Sequence, residues 1–133
     1  MASCDGLLGL TEQEVVRRLG EPSARREIDL DRWLVFRSNE MSLRIRLAGT
    51  DPPRVASWTA SLATGYRHLS EAAGAVGLWP AAAPDEEASR VATPLVRRLL
   101  PCAETDRVYS FTATVRSGLF TAVSVFDEAP DWI

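Results

Sequence analysis

Two nine-residue segments of strictly alternating polarity limit what this chain can fold into more than any other feature. They are RVASWTASL at residues 54–62 and RVYSFTATV at residues 107–115. In the first segment Trp58 alternates with the hydroxyl residues Ser57 and Thr59, and the second segment repeats this pattern. A two-residue period is typical of a β-strand with one buried face and one solvated face. Both segments are therefore predicted to be strands that border a core.

Further strands are predicted in the part of the chain that precedes the first segment. A charged, alternating stretch at residues 25–31 precedes the apolar run Trp33–Phe36, and a short turn leads into Met41–Leu47. Because only short loops connect Trp33–Phe36, Met41–Leu47 and residues 54–62, these strands are expected to form an antiparallel meander. The aromatic residues assigned to the core are Trp33, Trp58, Tyr109 and Phe111.

A β-hairpin is predicted near the end of the chain. Its strands are Val108–Arg116 and Leu119–Phe126, and Ser117-Gly118 supplies the two-residue turn that hairpins favour. Leu95–Leu100 is ambiguous between strand and helix, and a strand is preferred. The sheet is thus expected to have five or six strands.

Helix caps predict two or three short helices. Thr11 and Glu14 have the spacing of a capping box, and Gly20 is a candidate for the end of this first helix. A second helix is expected over Glu71–Val76, with Ser70 as its cap. A third is expected from the acidic residues 85–87 to about residue 92, since acids complement the helix dipole.

The predicted fold is a single α+β domain over residues 1–133, in which an antiparallel sheet carries the helices on one face. A content of 46% hydrophobic and 25% charged residues is that of an ordinary globular domain. No apolar run is long enough to span a bilayer, and no signal peptide is recognised. These features predict a cytoplasmic protein.

The two halves of the chain share a pattern of residues. Arg44 and Leu47, together with most of the first alternating segment, recur at a fixed offset as Arg97, Leu100 and the second segment. A helix signal precedes the strands in both halves. Residues 10–62 and 69–127 could therefore be repeats, although two amphipathic strands of similar composition can also share identities by chance.

The segment GLTEQEVVRRLGEP, Gly9–Pro22, resembles the opening of the small outer-membrane assembly lipoproteins, the SmpA/OmlA family. An aromatic strand and a short antiparallel sheet follow in that family, as Trp33–Phe36 and Met41–Leu47 do here. The β-lactamase inhibitory protein fold is similar, being a tandem repeat of a related unit. The resemblance implies a small α+β binding module rather than an enzyme, with the bacterial cell envelope as the alternative location.

Charge and motifs exclude several classes of function. A net charge of -3 argues against general nucleic-acid binding and would suit a basic protein partner. Cys4 and Cys102 fit no metal spacing and are expected to be free thiols. No phosphate-binding loop, dinucleotide fingerprint or zinc motif occurs, so no cofactor or metal is predicted. The acidic pair Asp29 and Asp31 is expected to share one face of an extended segment, where it could hold a cation or simply be solvated.

The polar face of the predicted sheet is the candidate binding site. Arginines on a rigid strand, beside short hydroxyl side chains, suit recognition of carboxylates or of a protein surface. An ordinary solvated sheet face has the same composition. The predicted binding residues are Arg44, Arg46, Ser57, Thr59, Ser110 and Thr112, with Ser61 and Thr114 on the same face.

Three hypotheses of function follow. The preferred one is a non-enzymatic protein-binding module, of the inhibitor, immunity or adaptor type, that uses this polar face. The second is a small enzyme or ligand-binding protein with a pocket near His68, the only histidine, together with Tyr66 and Trp79. The third is a structural subunit that forms homo-oligomers through an exposed strand edge, with Leu119–Phe126 as the candidate edge.

Overall fold

The computed structural model describes residues 7–49, 52–76, 87–91, 94–102 and 107–127. Within them, one antiparallel sheet carries two short helices, as the predicted α+β class requires. The sheet has seven strands rather than the five or six expected. The elements in chain order are α1 (Glu12–Leu19), β1 (Ala24–Ile28), β2 (Asp31–Arg37), β3 (Met41–Ala48), β4 (Arg54–Tyr66), α2 (Leu69–Val76), a 3₁₀ turn (Ala88–Arg90), β5 (Leu95–Cys102), β6 (Arg107–Arg116) and β7 (Leu119–Asp127).

The strands lie in the order β1-β2-β3-β4-β7-β6-β5, and every neighbouring pair is antiparallel. This order confirms the meander of β2, β3 and β4 and the hairpin of β6 and β7. Ser117 and Gly118 both have positive φ angles, 54° and 76°. Positive φ at both central residues is the geometry that joins two twisted strands with only two residues.

One face of the sheet is buried beneath the helices. Its central row consists of cross-strand partners Leu34, Ile45, Trp58, Val125 and Phe111, and all five side chains are 1% exposed or less. Val15 of α1 and both Leu69 and Ala72 of α2 belong to the same core cluster. Both helices therefore cover the same face, as predicted.

The capping box at the start of α1 is confirmed. The Glu14 backbone N–H donates to the Thr11 hydroxyl at 3.3 Å, and the Thr11 N–H donates to the Glu14 carboxylate at 3.0 Å. Gly20, with φ 90°, caps the other end. The reciprocal bonds satisfy two backbone donors that an isolated helix end would leave unpaired.

Strand β1, Ala24–Ile28, was not identified from the sequence. It is an edge strand that pairs only with β2, and four of its five residues are exposed, so its burial does not alternate. The following turn places Asp29 at φ 57°, while Asp31 begins β2. The expectation that Asp29 and Asp31 share one face of an extended segment is therefore wrong.

The ambiguous segment Leu95–Leu100 is part of strand β5, which pairs with β6 and forms the other edge. In contrast, β7 lies between β4 and β6 and is paired along both sides. Leu119–Phe126 is therefore not a free edge, and the edge chosen for self-assembly was wrong. The edges of the described sheet are β1 and β5.

Helix α2 begins at Leu69, two residues before the expected start, and Ser70 lies inside it rather than capping it. The turn before it is held by His68, whose backbone N–H donates to the Glu71 carboxylate at 3.3 Å. Of the predicted third helix, the described part is the 3₁₀ turn at Ala88–Arg90. Cys4, Trp79 and residues 85 and 86 lie outside the described residues.

The two halves of the chain meet at the centre of the sheet. The first half supplies α1 and the four neighbouring strands β1–β4, the second supplies α2 and the three strands β5–β7, and β4 pairs with β7. Without the edge strand β1, each half has three strands, β2–β4 and β5–β7. This arrangement puts β3 in the same position in its half as β6 in the other. The residue identities instead align β3 with β5 and β4 with β6. The duplication of residues 10–62 and 69–127 stays a prediction.

Candidate functional site

All six predicted binding residues lie on the sheet face opposite the helices. Residues directly opposite each other on paired strands share a face. One row joins Arg46, Ser57, Phe126 and Ser110, and the next joins Arg44, Thr59, Ser124 and Thr112. We call this surface the open face. A third row, Ser42, Ser61, Ala122 and Thr114, extends it and includes the other two predicted hydroxyl residues.

The predicted residues differ in how far they reach solvent. Ser57 and Ser110 are only 5% and 2% exposed, so they lie in the floor of the open face. Thr59 and Thr112 are half-buried, and the Thr59 hydroxyl accepts a hydrogen bond from Ser124 at 3.0 Å. Of the described hydroxyl residues in the prediction, Ser61 and Thr114 are the exposed ones.

The two predicted arginines have different surroundings. Arg46 donates from Nη1 to the Asp31 carboxylate at 2.9 Å and from Nε to the Ser57 hydroxyl at 3.2 Å. These contacts hold its guanidinium against the sheet. Arg44 is exposed and forms no ion pair with any described residue. Of these two arginines, Arg44 is therefore the one that offers an uncompensated charge to a partner.

Two further arginines on this face were missed by the sequence analysis. They are Arg26 of β1 and Arg37 of β2. Arg26 lies opposite Trp33 of β2. Arg37 is two residues after Val35, which lies opposite Arg44, so Arg37 is on the same face. These side chains border a shallow cavity of about 430 Å³, and they define what we call the Arg pocket. Its lining residues are Arg26, Ile28, Trp33, Val35, Arg37, Ser42, Arg44 and Ser61.

The Arg pocket has an apolar floor and a charged rim. Val35 is buried and Trp33 is half-buried, whereas the three arginines are exposed and form no ion pair within the described part of the chain. Trp33 was assigned to the core and is instead on the open face. Trp58 and Phe111, in contrast, are core residues as predicted. The side chain of Tyr109 is not described.

Sequence reasoning missed this pocket for a specific reason. Trp33-Leu34-Val35-Phe36 is apolar at every position, so alternation cannot tell which residues face the helices. The charge pattern of the neighbouring strand β3 could have shown which of these residues face away from the helices. Arg44 and Arg46 alternate with Leu43 and Ile45, and pairing β2 with β3 in register puts Trp33 on the arginine side.

The opposite face near α1 holds a separate ionic network. Glu12 accepts from Arg25 at 3.1 Å and from Arg32 at 2.6 Å, which ties the helix to β1 and β2. Burial raises the pKa of Glu12, but hydrogen bonds from Arg32 and Arg25 outweigh this and lower the pKa overall. Hydrogen bonds to Glu12 and then Glu27 raise the pKa of Arg32. A cavity of about 540 Å³ lies beside this network, but its charges already compensate one another.

The alternative site at His68 stays a prediction, because its proposed member Trp79 lies outside the described residues. His68 is half-buried in the turn between β4 and α2, where its backbone forms a bridge with Glu87. The cavities described are lined by other residues. Among the described residues there is no cluster of three or more histidine, cysteine or acidic side chains placed to hold a metal ion. In the same part of the chain, no helix is long and apolar enough to cross a membrane.

Comparison with known proteins gives no match to this chain among family models, curated proteins or solved structures. The resemblance of Gly9–Pro22 to the small outer-membrane lipoproteins thus stays a prediction. The class defined by the fold is an α+β protein with one covered and one open sheet face.

Proposed function

We propose that this protein is a non-enzymatic protein-binding module that binds its partner through the open face. The observation that carries the proposal is the Arg pocket, in which exposed arginines with no ion pair to a described residue surround an apolar floor on one side of a rigid sheet. Arginine and aromatic residues are enriched in protein interfaces, whereas lysine and acidic residues are depleted. Among the described residues of the open face, Asp31 is the acidic one, and Arg46 neutralises it.

Exposed apolar side chains on the same face support the proposal. Ile28 is 53% exposed, Leu95 is 54% exposed and Phe126 is 40% exposed. By strand register, all three lie on the open face. They extend from one edge of the sheet to the other, so a partner that covers the face would remove apolar surface from water along with the arginine contacts.

The charge of the face favours an acidic partner. The net charge of -3 would suit a basic partner, but a net charge averages over all surfaces. At physiological salt, charges more than about 8 Å apart are largely screened from one another. A partner on the open face therefore responds mainly to Arg26, Arg37 and Arg44, and we propose that it is acidic there.

Site-specific photo-crosslinking tests this proposal. A photo-reactive residue at Thr59 should crosslink a specific protein in a lysate of the source organism. The same residue at Gln13, which is exposed on α1, should not. The captured protein is then purified and its binding to the wild-type chain measured. A crosslink of the chain to itself would identify a second copy as the partner instead.

A matched pair of variants completes the test. Thr114→Tyr adds bulk to an exposed position of the open face, while Gln13→Tyr adds the same group on the helix side. We expect Thr114→Tyr to weaken partner binding at least tenfold and Gln13→Tyr to leave it unchanged. Equal effects of the two variants, or equal crosslinking from both positions, would refute the open face as the binding surface.

A further inference from the structure

We infer that the Arg pocket is a subsite for carboxylate groups on an acidic segment of the partner protein, with an apolar side chain of that segment resting on the floor. This inference rests on the proposed function and specifies its chemistry. Nothing in the sequence prediction pointed to β1 or to Trp33 as part of a binding surface.

The spacing of the arginines fits an extended acidic peptide. Arg26 lies opposite Trp33 of β2, whereas Arg44 lies opposite Val35, two residues further along β2. Two strand spacings and this two-residue offset put the backbones of Arg26 and Arg44 about 12 Å apart. Arg37 lies on β2 itself, two residues beyond Val35. Side chains on the same side of an extended peptide repeat about every 7 Å. A segment with carboxylates at alternating positions can therefore bring at least two of them to these arginines.

The chemistry of the rim favours carboxylates. A guanidinium group presents paired N–H donors that match the two oxygens of a carboxylate, and such charge-assisted pairs are stronger than neutral hydrogen bonds. No described acidic side chain pairs with Arg26, Arg37 or Arg44. A carboxylate of a partner can therefore bind them without first breaking an ion pair with a described residue.

The floor distinguishes this subsite from a general anion site. Trp33, Val35 and Ile28 line the cavity between the arginines, and a free inorganic anion would leave this apolar surface in contact with water. A nucleic acid could stack a base on Trp33, but its backbone needs an extended basic footprint. The chain has a net charge of -3 and offers three unpaired arginines here. An acidic polypeptide with an apolar residue matches both parts of the pocket.

Titration with synthetic peptides tests the inference directly. The probe is the acetylated, amidated peptide Glu-Glu-Leu-Glu-Glu, and the control peptide has glutamine in place of every glutamate. Neither contains tryptophan, so the indole signal of Trp33 can be followed by NMR together with the arginine Nε–H signals. A Trp33→Phe variant assigns the indole signal. We expect the acidic peptide to shift signals of the Arg pocket and the glutamine peptide to bind at least tenfold more weakly.

Matched arginine variants show whether the pocket itself binds the peptide. Arg44→Gln should weaken binding by about tenfold, because it removes a charge-assisted hydrogen bond from the rim of the pocket. Arg17→Gln removes an exposed arginine from α1 and should leave binding unchanged. Equal binding of both peptides, no effect of Arg44→Gln, or no shift at millimolar peptide would each overturn the inference. Tighter binding of a single-stranded RNA oligonucleotide would also overturn it.

Partner binding by variants separates failure of the carboxylate subsite from failure of the proposed function. If Thr114→Tyr abolishes binding of the purified partner while Arg26→Gln/Arg44→Gln does not, the open face is correct and the carboxylate subsite is wrong. If neither change affects the partner, both proposals fail. Loss of partner binding in the double variant, with retained near-ultraviolet circular dichroism, would support the subsite.

Discussion

At the scale of single residues, Arg44 and Arg46 show how two identical side chains on one strand face can have different roles. Arg46 is anchored by Asp31 and Ser57, while Arg44 has no ionic partner among the residues described. The anchored guanidinium contributes to stability, whereas the exposed one is available for binding. The two roles can be separated by the same substitution at each site.

We expect Arg46→Ala to lower the free energy of unfolding by about 1 kcal/mol, because it leaves a partly buried carboxylate without its partner. Arg44→Ala should change it by no more than about 0.5 kcal/mol, as is usual for exposed positions. Urea denaturation measures the change in the free energy of unfolding of each variant, provided that the m-value is unchanged. Equal losses in the two variants would contradict the distinction drawn between them.

At the scale of elements, Glu12 links α1 to the β1–β2 hairpin through ion pairs. Its carboxylate is shared by Arg25 of β1 and Arg32 of β2. Strand β1 is an edge strand with four of its five residues exposed, and the ion pair of Arg25 with Glu12 links it to the helix. The attachment should therefore depend on pH.

We expect Glu12→Gln to lower stability at pH 7 by roughly 1 kcal/mol or less, since the partner arginines are largely exposed. The pKa of Glu12 is lowered from 4.5 in the folded chain. A lowered pKa stabilises the fold above pH 4.5, and this contribution is lost as the pH falls through the folded value. The difference between wild type and variant should thus be largest near neutral pH and vanish in acid.

Urea denaturation at a series of pH values checks this prediction. Glu21→Gln is the matched control, because Glu21 pairs with the same Arg25 but its side chain is 75% exposed. Its substitution should have little effect at any pH. A Glu12→Gln difference that stays constant from pH 7 to pH 3 would show that the ionic contact is not responsible.

At the scale of the whole molecule, a single core unites the two halves of the chain. Trp58 from the first half lies opposite Val125 from the second, and both belong to the core cluster that includes residues of α1 and α2. Neither half can expose its side of the β4–β7 junction without exposing the centre of this core. The two halves, residues 10–62 and 69–127, are therefore expected to unfold together.

We expect one unfolding transition, with identical midpoints by far-ultraviolet and near-ultraviolet circular dichroism. Val15→Ala in α1 and Val123→Ala in β7 should each lower stability by roughly 1–3 kcal/mol, since both side chains are fully buried. Each should shift the entire transition. Two separate transitions, each sensitive to only one of the variants, would show that the halves unfold independently.

The parts of the fold that could be predicted are those encoded by neighbouring residues. Alternation in residues 54–62 and 107–115 identified β4 and β6 and the face to which Ser57, Thr59, Ser110 and Thr112 belong. Thr11 and Glu14 identified the start of α1, and Ser117-Gly118 identified the last hairpin. These signals are local because a strand period, a helix cap and a tight turn each involve only a few consecutive residues.

The sequence by itself thus determined the α+β class, most strands and the polar character of the open face. Only the tertiary structure decided that β1 joins the sheet, that β7 lies at its centre, and that Arg26, Trp33 and Arg37 meet Arg44 in one pocket. The physical reason is that strand pairing joins residues distant in the chain. The charged stretch that forms the exposed edge strand β1 does not indicate which strand it pairs with. The entirely apolar run Trp33–Phe36 carries no alternation from which its buried face could be inferred.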